Sequence, residues 1–291
     1  MSVLVDKNTR LLVQGITGRE GHFHTTRMLE YGTNVVAGVT PGKGGQTVEG
    51  VPVYDSVAEA VAAQQPDTTI LFVPPRFTLD GIFEALNAGI RKVITIAEGV
   101  PVRDMMEVYH YTKNMPDVYV IGPNSFGVIS PGKSKAGFMA HEIYSPGPVG
   151  IMSRSATNSY ETVLAMTRRG IGQSTAIGVG GDMIPVSSFA KLLPLFQADE
   201  ETKAVVLIGE IGGADEEIAA EYIKKHMTKP VVAYIAGRNA PKGKVMGHAG
   251  AIVGASGVGS AQSKIEALTA AGVHIADSPN HVAEILEKLL A

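Results

Sequence analysis

The stretch LLVQGITGREGHFHTTRMLEYG, residues 11–32, holds one complete structural unit. LLVQGI (11–16), apolar apart from one glutamine, reads as a buried strand. Glycines follow at 15, 18 and 21, and then apolar residues recur at helical spacing until a glycine stops them at 32. Strand, glycine turn and helix form the first half of a βαβ unit. The pattern repeats outward from there. NVVAGV (34–39), TILFV (69–73), KVITIA (92–97) and VYVIG (118–122) read as strands, and LDGIFEALNAG (79–89) as a helix between two of them. PVGIMS (148–153), STAIGVGG (174–181), KAVVLIGE (203–210) and KPVVAYIAG (229–237) resume the series, and HVAEILEKLL (281–290) reads as a closing helix. Such alternation predicts an α/β protein with parallel sheets and helices on both faces. HEIYSPGPVG (141–150) interrupts it with two prolines and two glycines, so the division is expected there, giving domains 1–144 and 145–291.

The totals narrow the function. At 291 residues the chain is long for one domain and comfortable for two. A net charge of -3 and a pI near 6.2 give no basic footprint for nucleic acid or an anionic membrane. No apolar run approaches the roughly 18 residues that span a bilayer. There is no cysteine, which removes disulfides, thiolate metal sites and a cysteine nucleophile. MSVLVDKNTR resembles neither a secretory signal nor an Arg-rich transit segment, so a cytoplasmic protein is expected. His22 and His24 alternate near a helix start without a third ligand, and no metal site is expected.

The glycine turn at 15–21 offers backbone N–H groups and a helix N-terminus to a phosphate. Its spacing, G-x-x-G-x-x-G, is not the dinucleotide fingerprint G-x-G-x-x-G, and a tight turn without a ligand satisfies the same glycines. In an NAD site the second strand ends near an acidic residue that holds the ribose. Here it ends at Thr40 and continues PGKGG, so the nearby charge is Lys43. A cation among glycines suits a nucleotide with an extra phosphate, either coenzyme A or NADP. FVPP (72–75) and IAEGVP (96–101) end two more strands at the same edge. Loops 15–21, 40–45, 73–76 and 96–99 are the expected lining of one crevice.

In the second half, KAVVLIGEIGG (203–213) sets Glu210 at the end of a buried strand. A carboxylate there needs a partner: either a structural Lys or Arg, or a histidine whose ring it orients. MSRSATNSYETV (152–163) runs from a strand to a helix expected to begin near Asn158, an anion site or a plain N-cap. GKVMGHAGAIVGASG (243–257) surrounds His248 with glycine and alanine, either a loop histidine or one that something must approach closely.

Taken in order, GITGREG, TPGKGG, IAEGVP, IGPN, SRS…YE, IGVGGD, LIGEIGG and APKGK-x-MGHAGA resemble the α subunits of succinyl-CoA synthetases, within the nucleotide-forming acyl-CoA synthetases. The resemblance spans essentially the whole chain. It implies a Rossmann-like CoA-binding domain followed by a flavodoxin-like domain that carries a transiently phosphorylated histidine. It places coenzyme A at Thr17, Gly18, Arg19, Glu20 and Lys43, with Ile96, Ala97 and Glu98 beside them. It makes His248 the phosphoryl carrier, Glu210 its partner, and Tyr160 a residue of the organic-acid site, with Asn124 and Ser155 as further substrate-binding candidates. It implies a β subunit with an ATP-grasp fold that binds Mg²⁺ and ATP or GTP, in an αβ or (αβ)₂ heteromer. The chain itself has no P-loop and no evident carboxylate pair for Mg²⁺.

Three departures fall beside the expected acid pocket. The family's IGPNCPG is IGPNSFG, with Ser125 and Phe126; SRSGTLTYE is SRSATNSYE, with Ala156 and Asn158; and GGDP-x-x-G is GGDMIPVSS. Succinate is the expected acid, and malate or citrate the alternative. A non-catalytic CoA-binding regulatory module and an NADP oxidoreductase are the rival classes.

Overall fold

The computed structural model describes residues 2–241, 243–253 and 259–291. Lys242 of the APKGK motif and residues 254–257 of the glycine-rich stretch lie outside the described residues.

The first sheet contains β1 (Leu11–Gln14), β2 (Val35–Val39), β3 (Thr47–Val48), β4 (Val51–Tyr54), β5 (Thr68–Leu71), β6 (Lys92–Thr95) and β7 (Tyr119–Ile121). Its order is β3-β4-β2-β1-β5-β6-β7, parallel except for the short β3–β4 pairing. Without β3 this is the doubly wound Rossmann-like order, and the strand order reverses between β1 and β5. Helices α1 (Arg19–Glu30), α2 (Val57–Gln64), α3 (Thr78–Asn87) and α4 (Val102–Thr112) cover it.

The second sheet contains β8 (Gly127–Ser130), β9 (Ser134–Gly137), β10 (Pro146–Ser153), β11 (Gln173–Gly178), β12 (Ala204–Glu210), β13 (Val231–Ala236) and β14 (His274–Ala276). Its order is β14-β13-β12-β10-β11-β8-β9. The five parallel strands follow the flavodoxin-like pattern, with the reversal between β10 and β12. Helices α5 (Ala156–Thr167), α6 (Phe189–Ala198), α7 (Asp215–His226), α8 (Ala261–Ala270) and α9 (Pro279–Leu290) pack around it. Every residue of β12 is buried, as its unbroken apolar run predicts for a central strand covered on both faces. Serines 56, 155, 188, 260 and 278 start five of the helices, each accepting an N–H from the first turn.

Two details differ from the sequence reading. The hairpin β8–β9 precedes residue 145, yet β8 pairs antiparallel with β11 and extends the second sheet. Sheet membership therefore changes between β7 and β8, ahead of the proline-glycine segment. Helix α5 starts at Ala156 rather than near Asn158, because Ser155 is the cap and its Oγ accepts the Asn158 N–H at 3.3 Å. Among the described residues no helix is long and apolar enough to cross a membrane.

Candidate active site

The reversal point of the second sheet brings the site together. Strands β10 and β12 are direct neighbours, with Ser153 opposite Ile208, so their carboxyl ends deliver Arg154, Ser155 and Glu210 side by side. His248 comes from the segment after β13. Its Nδ1 lies 2.8 and 3.0 Å from the two oxygens of Glu210. Arg154 Nε donates to the same carboxylate at 3.3 Å, and its Nη2 donates to the Asp182 carbonyl at 2.9 Å. The Glu210 side chain is 8% exposed and that of Arg154 4%. The two partners proposed as alternatives for Glu210 are thus both present.

This geometry fixes the imidazole chemically. A carboxylate at Nδ1 keeps the proton there and leaves the Nε2 lone pair free. The His248 pKa is raised above its ordinary value, chiefly by the hydrogen bond to Glu210, while burial and Arg154 oppose the rise and Glu98 adds to it. Close packing also requires Gly181: a Cβ there would sit 2.5 Å from the ring Cγ and Nδ1. His248, Glu210, Ser155 and Asn158 line a cavity of about 200 Å³ together with Ile211, Gly237 and Met246. The N-terminus of α5 opens on that cavity, and its N–H groups suit an anion.

The site is tied to the first domain through the segment after β11. Asn124, at φ 54°, donates from Nδ2 to Asp182 Oδ1 at 3.1 Å, its carbonyl accepts the Gly181 N–H, and its own N–H donates to Ala97 O. Burial raises the Asp182 pKa, while Asn124 and the Gly99 amide hold it back. Glu98, in the IAEGVP loop next to Ala97, adds a smaller upward push to the pKa of both Asp182 and His248.

The second crevice lies at the reversal point of the first sheet. A cavity of about 470 Å³ is lined there by Gly15, Thr17, Gly18, Thr40, Phe72 and Pro74 among others. Gly18 is the N-cap of α1 and offers no side-chain acceptor, so the first N–H groups of the helix stay open. Thr17 Oγ1 and Thr40 Oγ1 lie 3.1 Å apart and join the first two strand-end loops. Arg19 and Glu20 face solvent with only a loose contact of 3.7 Å between them. Lys43 is exposed beside the cleft, not in its wall. Ile96, Ala97 and Glu98 also lie outside that wall, on the side toward Asp182.

Of the substrate-binding candidates, Ser155 lines the histidine cavity, while Asn124 and Tyr160 do not. The Tyr160 ring packs 6.0 Å from Phe126, its hydroxyl is buried without a partner, and burial pushes its pKa up to about 12. Sequence reasoning passed over Arg154, Gly181 and Asp182, although all three stand inside the SRS and GGD motifs it used. Only the strand order, which makes β10, β11 and β12 end at one place, brings these residues to the site.

Comparison with known proteins agrees with this architecture. Residues 6–99 match the CoA binding domain family and residues 152–274 the CoA-ligase family. The chain is 53% identical to succinate–CoA ligase, ADP-forming, subunit alpha 2 of Archaeoglobus fulgidus, over 100% of both chains. It is 49% identical to malate–CoA ligase subunit alpha of Methylorubrum extorquens, over 100% of this chain and 99% of the relative. Among solved structures, ATP citrate lyase from Methanothrix soehngenii in complex with citrate and coenzyme A superposes with a TM-score of 0.89 at 28% identity. That match covers 99% of this chain and 51% of the longer one.

Proposed function

The chain belongs to the family of α subunits of ADP-forming CoA ligases, and from that premise we propose that it is the phosphoryl-carrying subunit of a succinate–CoA ligase. The observation that carries this reading is the His248–Glu210–Arg154 chain at the N-terminus of α5. Glu210 holds the Nδ1 proton and Nε2 is the nucleophile. Nε2 attacks the terminal phosphorus of a nucleoside triphosphate and the bond to the diphosphate breaks. Glu210 stabilises the positive charge on the ring. The phosphoryl group then passes to a carboxylate of the acid, restoring the histidine, and the thiolate of coenzyme A displaces phosphate from the acyl phosphate. The open N–H groups of α5 neutralise anionic charge along this path. A β subunit of ATP-grasp type supplies the nucleotide site, where Mg²⁺ neutralises the phosphate charge.

Coenzyme A is assigned to the cleft of the first sheet, with Thr17, Gly18, Arg19 and Glu20 at the start of α1, Lys43 beside it, and Ile96–Glu98 leading toward His248. Open amides and two exposed cations support that assignment. Asn124 and Ser155 border the path of the acid.

The test is labelling with [γ-³²P]ATP in the presence of the β subunit. We expect acid-labile, base-stable label on the wild-type chain and none on His248→Asn. A fully active His248→Asn heteromer overturns the reading, and coenzyme A binding without any label points to a regulatory module. A second acid is favoured by one observation: Phe126, 2% exposed, packs on Tyr160 where the family has Cys-Pro. With succinate, malate and citrate supplied in turn, mass spectrometry should find succinyl-CoA dominant. Dominant malyl- or citryl-CoA reassigns the substrate while leaving the reaction type.

A further inference from the structure

Beneath the site lies a pair of charges that the reaction scheme leaves unused. Lys264 of α8 and Glu216 of α7 form an ion pair in which both side chains are 0% exposed. Glu217 stands 3.5 Å from the same ammonium group. Burying two ions is costly, and an apolar pair of similar volume commonly gives equal or greater stability. The interface already has such packing, from Ala219, Ala220 and Ile223 on α7 and Leu268 on α8. Stability alone therefore does not account for the charges.

Their geometry does. Glu216 turns back under the end of β12, and its Oε1 accepts the backbone N–H of Glu210 at 3.1 Å. The residue bonded in this way is the one whose carboxylate holds His248 Nδ1. The approach needs Gly209, because a Cβ there would lie 2.5 Å from Glu216 Oε1. The other oxygen, Oε2, is taken by Lys264. One face of Glu210 is thus fixed by Arg154 through its side chain, and the other by Glu216 through its backbone.

We propose that Glu216, neutralised by Lys264, is a positioning residue that sets the end of β12 so that Glu210 meets the histidine in register. This rests on His248 being the phosphoryl acceptor. Neither residue touches substrate; each acts through Glu210. Lys264 also offsets the Glu216 charge in a region where the Asp215 pKa is pushed up to about 6, chiefly by burial and then by Glu216, with Arg154 and Lys264 opposing.

Two double variants separate position from bulk stability. Glu216→Gln/Lys264→Met removes both charges but keeps an oxygen for the Glu210 N–H. Glu216→Leu/Lys264→Met removes both charges and the oxygen. Each is assembled with the β subunit, and the rate of His248 phosphorylation from [γ-³²P]ATP is measured by rapid quench, with coenzyme A binding to the first domain as a control for folding. We expect the Gln variant to phosphorylate within about threefold of wild type. The Leu variant should be slower by roughly tenfold or more, with the KM for ATP and the affinity for coenzyme A unchanged, as for loss of one buried hydrogen bond to a catalytic support. Equal rates in the two variants, or losses that come together with coenzyme A binding, overturn the positioning role. A wild-type heteromer that takes no label at His248 sinks the functional reading and this role with it. A normally labelled wild type beside two indistinguishable variants sinks this role alone.

Discussion

The two crevices are built at equivalent points of their sheets, yet from opposite materials. The crevice of the first domain is walled mainly by glycine backbone, threonines, prolines, valines and two phenylalanines, with Asp80 and Glu84 at its edge, and the cations beside it stand in solvent: the Arg19 side chain is 96% exposed. The crevice of the second domain buries its charges, and Glu210 alone is held by Arg154, by His248 and by the Glu216 carboxylate. A long, flexible ligand is held by shape and open amides along its length. A nucleophile must be set in one tautomer and one orientation before its target arrives, and that requires fixed dipoles in a dry place.

Perturbing each crevice should therefore give different kinds of damage. The largest effect is expected from Glu210→Gln, which keeps the shape but lets the ring adopt the wrong tautomer. Phosphorylation of His248 should fall by about 10³-fold with coenzyme A affinity intact, and a loss under tenfold would break the comparison. Next comes Gly181→Ala, whose methyl displaces the imidazole from its seat. We expect a rate lower by about 10²-fold, measured by the same labelling, with an unchanged KM for ATP. Lys43→Glu should act on the other crevice only. Coenzyme A should bind roughly tenfold more weakly at low salt, with the penalty shrinking as salt is added and the KM for the acid unmoved. Equal effects on both ligands would remove Lys43 from the coenzyme A site.

The smallest effect concerns stability and pH. His248 binds its proton more tightly in the folded chain than at its ordinary value of 6.5, because Glu210 faces it. A raised pKa stabilises the fold fully below the unfolded value and loses that contribution as pH rises through the folded one. Thermal melts of wild type and His248→Asn should therefore differ most near pH 6, by about 2–4 °C, and converge toward pH 9. A gap that widens with rising pH would contradict the pairing. For catalysis the same shift places the acid limb of phosphorylation above pH 6.5, since the neutral ring is the nucleophile.

The parts of the fold that could be read from the chain are those whose physics is local. Central strands such as β12 are buried on both faces and must be continuously apolar, so all nine expected strands are present. The strands that escaped are short or at edges. SKAG in β9 and HIA in β14 contain too few apolar residues to announce themselves. At the site, His248 and Glu210 lie 38 positions apart and could be paired only through the motifs they share with relatives. Arg154 went unassigned for another reason. Its role depends on which strand lies next to β12, and that is fixed by the packing of the whole sheet.

The antiparallel hairpin β8–β9 stitches the chain's first half onto the second sheet. Cutting at residue 145 would strip β8 and β9 from that sheet and leave β11 as a bare margin, with Ala176 and Ile177 deprived of Ile129 and Val128. Open β margins recruit other chains. A stand-alone second domain should begin upstream of Gly127, and one begun at 145 should precipitate instead of folding cleanly. The proline-glycine segment visible in the amino-acid sequence thus follows the point where the chain has already joined the second sheet.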